Sequence, residues 1–195
     1  PAFFDQVRSL VVHDPLAEFL GASTDGRIEY RYVDAVRLAG HSCPTVAAAY
    51  WMTLKALVAL YPDALPQRGA IRVDFREDQL SGVTGVIANV VSMLTGATRD
   101  SGFKGIAGRF DRRNLLHFAT EVSEEIRFTR TDTGDSVEVA ARLQSVPFAP
   151  DTPELMRKCI EGKATPDEAA RFRDQWQARV RSLLLEHGSA PPRRA

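Results

Sequence analysis

Between Val46 and Tyr61 the chain reads Val-Ala-Ala-Ala-Tyr-Trp-Met-Thr-Leu-Lys-Ala-Leu-Val-Ala-Leu-Tyr, an apolar run interrupted only by Lys55. Such a run has no broad polar face to offer water, and it is short for a membrane span. It therefore predicts a buried core helix against which the other elements must pack. The ends of the helix are marked as well. Pro44 suits the first helical position, where a missing N–H costs no intrahelical bond, and Pro62 stops the helix after Leu60. The predicted helix runs from about Pro44 to Leu60, with Cys43 at or beside its N-cap.

Shorter elements surround it. Asp14 to Leu20 reads as a short helix with Pro15 at its first position and Gly21 as its stop. Arg27 to Tyr32 alternates as a brief strand does, and Val33 to Ala39 reads as a helix ended by Gly40. Ile71 to Phe75 alternates apolar and polar residues and predicts a strand. Gly82 to Leu94 reads as a helix closed by Gly96, with Gly82, Gly85 and Ala88 small enough to admit a second backbone. Strands are expected at Asn114–Phe118, Glu125–Arg130 and Ser136–Ala140. The turn chemistry of Thr133-Gly134-Asp135 makes the last two a hairpin. Thr152-Pro153-Glu154 opens a helix that Gly162 ends. Thr165-Pro166-Asp167-Glu168 opens the next with capping-box spacing, and Ala169, Phe172, Trp176, Val180, Leu183 and Leu184 give it an apolar stripe. Helices followed by strands followed by helices predict an α+β fold, a mixed or antiparallel sheet packed with helices and carrying a helical C-terminal extension. The expected organisation is one domain over 1–150, the helical extension over 151–188 and a disordered tail over 189–195.

Composition narrows the function classes. The chain has 195 residues, with 25 basic and 25 acidic side chains that cancel. This argues against a broad nucleic-acid surface. No signal peptide is legible in Pro1–Leu20, which carries Asp5, Arg8, Asp14 and Glu18. Cys43 and Cys159 are the two cysteines, too few for a zinc ribbon or an iron–sulfur pattern and far apart for a disulfide scaffold. A cytoplasmic protein without nucleic-acid or membrane partners is the expectation.

Chemistry concentrates in Gly40-His41-Ser42-Cys43-Pro44. Imidazole and thiolate together suit a transition metal such as zinc or iron, and the positive end of a helix favours a thiolate at Cys43. In an extended segment two residues apart, His41 and Cys43 can share a face. A further ligand must come from elsewhere. Asp74, Glu77, Asp78 and Asp100 are the acidic choices, and His13 and His117 the nitrogen donors. Asp78, in the loop after the predicted strand, is the first choice, against the competing reading of a solvated loop charge. Haem is an alternative, with Cys43 or His41 as axial ligand and Tyr50, Trp51 and Met52 lining a pocket, although aromatics at such positions also serve as plain core. A cysteine nucleophile ranks lower, because a base two residues away is poorly placed. The spacing of Gly102, Gly105 and Gly108 follows a helix and precedes a strand, the reverse of a dinucleotide fingerprint. With Lys104, Arg109, Arg112 and Arg113 it reads as a flexible connector with a solvated basic face.

The segment Gly40–Pro44 followed by a small-residue apolar helix resembles the opening of the FmdE-like domain, named after a protein associated with formylmethanofuran dehydrogenase, a tungsten or molybdenum enzyme. The resemblance covers roughly Val33 to Phe118. Thr45 replaces a usual glycine, Tyr50 and Met52 fit the helix, and Leu94-Thr95-Gly96-Ala97-Thr98 is similar to the family's later Leu-Thr-Gly-Cys-Thr segment. It implies an α+β domain that binds a transition metal through His41 and Cys43, as a homodimer in many members. Ala97 stands where the family carries a cysteine, and two helices stand where many members have a zinc ribbon. The resulting expectation is a metal- or metallocofactor-binding protein with a redox-related role, ligated through His41, Cys43 and Asp78. The alternatives are a haem-binding or haem-sensing module and a non-catalytic interaction protein.

Overall fold

The computed structural model describes residues 1–186 and the backbone of Arg193–Arg194. After a 3₁₀ turn at Ala2–Gln6 come β1 (Leu10–His13), α1 (Pro15–Phe19), β2 (Arg27–Tyr30), α2 (Tyr32–Ala39), α3 (Pro44–Leu60), β3 (Ile71–Phe75), α4 (Thr84–Thr95), β4 (Leu116–His117), β5 (Ile126–Arg130), β6 (Ser136–Val139), α5 (Thr152–Ile160) and α6 (Pro166–Leu185). β1 and β2 pair antiparallel, Leu10 opposite Tyr30 and His13 opposite Arg27. The second sheet has the order β4-β3-β5-β6, with Arg193–Arg194 beside β6. Its β3–β4 pair is parallel and its β3–β5 and β5–β6 pairs antiparallel, so the fold is α+β with a mixed sheet. Among the described residues no helix is long and apolar enough to cross a membrane.

α3 is the centre of the core. Val46, Ala49, Tyr50, Leu54, Ala56 and Leu57 are all at most 1% exposed, and the helix packs against α2, α4, α6, β5 and β6. Burial of this kind stabilises by about 1.5–3 kcal/mol for each large apolar side chain. The buried Thr53 hydroxyl of this helix is satisfied within it, Oγ1 donating to Ala49 O. Opposite α3, the inward sides of β3, β5 and β6 meet in the cross-strand row Val73, Phe128 and Val137. Val180 and Leu184 of α6 complete the same core. The capping box forms at that helix's start, Glu168 N–H donating to Thr165 Oγ1 and Thr165 N–H to Glu168 Oε2.

Three sequence expectations change. β1 was not foreseen, because Leu10-Val11-Val12-His13 has too little alternation to show a period. The strand expected over Asn114–Phe118 shrinks to Leu116–His117, since Asn114 (φ 56°) and Ala119 (φ 53°) adopt left-handed conformations that end the extended chain on both sides. The segment carrying Gly102, Gly105 and Gly108 is not wholly a solvated basic face, because Arg112 is buried. The expected tail over 189–195 lies outside the described residues, apart from the backbone of Arg193–Arg194.

The buried Arg112 belongs to a tie between distant segments. Asp14, 3% exposed, accepts N–H bonds from Leu16 and Ala17 as the N-cap of α1. It also accepts from Arg112 Nη2 at 2.6 Å and from Arg68 Nη1 at 2.9 Å. Arg68 reaches on to Met93 O, near the end of α4. A Cβ at Gly69 or Gly96 would lie 2.4 Å from Arg112 Nη1, so both glycines make room for the guanidinium. Burial alone would raise the Asp14 carboxyl, but the Arg68 and Arg112 guanidiniums outweigh it and hold the group below its ordinary value of 3.8.

Removing the carboxylate leaves a buried guanidinium uncompensated. Asp14→Ala is expected to cost about 3–5 kcal/mol in urea unfolding. Because the folded-state value is depressed, the contribution of Asp14 is present at neutral pH and is lost as the pH falls below the ordinary value of 3.8. Acid titration of stability should therefore be less steep in Asp14→Ala than in the parent.

Candidate metal centre

The Gly40–Pro44 segment folds as its residues dictate. Gly40 closes α2 in the left-handed conformation, φ 75°, and its N–H donates to Val36 O. The chain bends through His41 and Ser42 and enters α3 with Cys43 as N-cap and Pro44 as first helical residue. Cys43 Sγ accepts the Val46 N–H at 3.5 Å, so its lone pairs lie at the positive end of a long helix. The side chain is half-buried.

His41 is exposed, and its Nδ1 lies 2.9 Å from Ala39 O. A carbonyl only accepts, so Nδ1 carries a proton, and in the neutral imidazole the lone pair is on Nε2. A second nitrogen held by a backbone carbonyl is how ligand histidines are oriented. No side chain among the described residues bonds to Nε2.

Ser42, between the two, is gripped from α6. Trp176 Nε1 donates to Ser42 O at 3.1 Å and Gln177 Nε2 at 3.0 Å. Ser42 Oγ donates to Gln177 Oε1 at 3.0 Å and therefore accepts from the Tyr32 hydroxyl, also at 3.0 Å. Burial, with a smaller contribution from Cys43, pushes the Tyr32 phenol up to about 12, against the lowering effect of the Ser42 bond. The phenol therefore stays a donor at neutral pH. Tyr32, Ser42, Trp176 and Gln177 escaped the sequence reading. Trp176 was visible only as part of an apolar stripe, and its indole N–H on a serine carbonyl 134 residues away carries no local signal.

The other expected ligands have different duties. Asp78 is exposed and accepts the N–H of Leu80 at 2.9 Å, stabilising its own turn. Asp74 is held by the Arg72 fork, with Nη2 at 2.8 Å, and Glu77 faces Arg76 at 3.4 Å. His13 Nε2 meets Glu18 at 3.0 Å, His117 Nε2 lies 3.0 Å from Asn114 O, and Asp100 is exposed. Among the described residues no three His, Cys, Asp or Glu side chains gather as a metal site. His41 and Cys43 thus stand without Asp78 or any third donor of this kind. Tyr50 and Met52, considered as a haem lining, are 0% and 5% exposed and are committed to the core. The Tyr50 hydroxyl is bonded to Arg8 O at 2.9 Å and Tyr30 O at 3.0 Å.

A family model described as FmdE, Molybdenum formylmethanofuran dehydrogenase operon, matches residues 38–187. The chain belongs to this family. The match begins just before the His41–Cys43 segment and runs on through both C-terminal helices, beyond the stretch on which the resemblance first rested. No curated protein and no solved structure gave a match.

Two stability outcomes follow. Cys43→Ser is expected to leave the metal-free protein within about 1 kcal/mol of the parent, since serine is itself a good N-cap. Gln177→Ala, which removes both of its bonds to Ser42, is expected to cost about 1–3 kcal/mol and to speed amide exchange at Ser42 and Cys43. Urea unfolding and hydrogen exchange measure the two effects.

Proposed function

We propose that this chain is a metal-binding protein with a redox-related role that takes zinc or iron through His41 Nε2 and Cys43 Sγ. The observation that carries the reading is the fixed pair itself. The imidazole tautomer leaves Nε2 open, the sulfur sits at a helix N-terminus, and α6 holds the residue between them. Imidazole and thiolate form a soft donor set suited to these metals. The family's description by the operon of a molybdenum enzyme supports a metal-related role.

Two donors make half a site. The remaining donors come from outside the chain, and a second copy meeting the first across His41 supplies a pair of the same kind. Bound there, the metal would act as a Lewis acid or an electron carrier. The work of the protein is to hold the two donors in one orientation.

The test is metal content and the absorption spectrum of the purified protein, beside His41→Ala and Cys43→Ser, with mass by light scattering. The expected result is zinc or iron in the parent, loss from both variants, and a dimer that loosens with the metal. A Soret band lost in both variants would replace this reading with haem ligation. Equal metal in parent and variants, or none in any after anaerobic reconstitution, would overturn it.

A further inference from the structure

On another part of the molecule a cleft of about 420 Å³ opens at the start of α4, lined among others by Arg76, Glu77, Thr84, Glu125 and Arg142. Part of its polar lining is left without a partner among the described residues. α4 has Val83 at its N-cap and no side-chain cap, and in its first turn Thr84 N–H donates to Ser81 O and Val86 N–H to Val83 O. Thr84, in the first turn, is 7% exposed and lines the cleft, yet its hydroxyl makes no hydrogen bond with any described residue. Thr53 and Thr95 each bond the carbonyl one turn back, and Thr84 makes no such contact, which leaves its hydroxyl available to the cleft. Arg142, across the cleft, is exposed and has no ion pair among the described residues.

The acidic side is equally incomplete. Glu125 Oε2 accepts the Ala141 N–H at 3.0 Å, and Oε1 has no partner. Burial, and secondarily the Glu77 charge, raise its carboxyl, although Ala141 and Arg76 oppose the shift. A positive group beside it would restore the charged form.

A simple anion in this cleft would face Glu77 and Glu125, and a simple cation would face Arg76 and Arg142. A molecule carrying both charges satisfies both sides. We propose that this cleft binds a small zwitterion of the amino-acid class, its carboxylate held by the Thr84 hydroxyl and Arg142, and its ammonium held by Glu125. Val83, 51% exposed and part of the lining, leaves apolar surface for the ligand's side chain. The site is separate from His41 and Cys43, neither of which lines the cleft, so its fate does not depend on metal binding.

The experiment is isothermal titration of the full chain with each L-amino acid, and with acetate and methylamine as probes of one charge each. Saturable binding of at least one amino acid is expected, with acetate and methylamine each far weaker. Thr84→Val, which keeps the shape and removes the hydroxyl, Glu125→Gln and the surface change Arg142→Ala should each weaken it about tenfold or more, the effect of one hydrogen bond to a charged group. Circular dichroism establishes that each variant is folded, and Arg142→Ala carries the test should a buried variant fail to fold. Absence of saturable binding for every amino acid would overturn the proposal. So would binding undiminished in the folded variants, or acetate or methylamine binding as tightly as the amino acid.

Discussion

Asp14 is the joint on which the arrangement depends. A carboxylate this buried is tolerated only when its charge is answered, and Asp14 is answered from three places in the chain: the first turn of α1, Arg68 before β3, and Arg112 in the segment after α4. Each donor is already held elsewhere. Arg68 spans to Met93 O, and the backbone beside it is pinned by Gly69 N–H donating to Thr95 O. Arg112 O accepts from Thr98 N–H and Thr98 Oγ1. The end of α4, the start of β3 and the long connection to β4 therefore close on one oxygen pair. α4 packs along α3, and through it the tie sets how the central helix lies over the sheet.

At its N-terminus α3 meets a second tie of neutral groups. The carbonyl of Ser42 would be an orphan in a bend between two helices, and α6 supplies two donors to it. The serine hydroxyl has one proton, which Gln177 takes, and its remaining capacity is filled by Tyr32. Tyr32 is itself fixed by ring contacts with Phe4 and Tyr50. The residue between His41 and Cys43 is thus clamped from the N-terminal region and the C-terminal helix at once. His41 and Cys43 thus flank a residue whose backbone is held, and each makes one bond of its own, His41 Nδ1 to Ala39 O and Cys43 Sγ to Val46 N–H.

Elements with a strong period or a strong stop were legible in the sequence. Pro44 and Gly40 marked the helix ends correctly because proline at a first helical position and glycine in a left-handed cap act through local sterics alone. The capping box of α6 was readable for the same reason. What escaped is long-range. Arg112 looked like one basic residue among several in a glycine-spaced connector, and its burial depends on a carboxylate 98 residues earlier and on two glycines in different segments. The grip of Trp176 and Gln177 on Ser42 is of the same kind, a contact no local pattern encodes. Asp78, chosen as a ligand from its place in the loop, accepts the N–H of Leu80 two residues on, a local contact of the kind loop carboxylates commonly make.

The number of donors bears on what kind of metal site the proposed function describes. A structural zinc centre closes all four positions with protein ligands and contributes directly to folding. Here the fold is secured by the apolar packing of α3, the Asp14 tie and the Ser42 clamp, none of which uses a metal. His41 is exposed and Cys43 half-buried, so a bound ion would keep positions open toward solvent. Such positions suit an ion shared with a second copy or offered to a substrate, and they make its occupancy sensitive to what sits opposite. The clamp matters for that reason. In the proposed site, a backbone already held around Ser42 would lessen the conformational entropy lost when an ion binds.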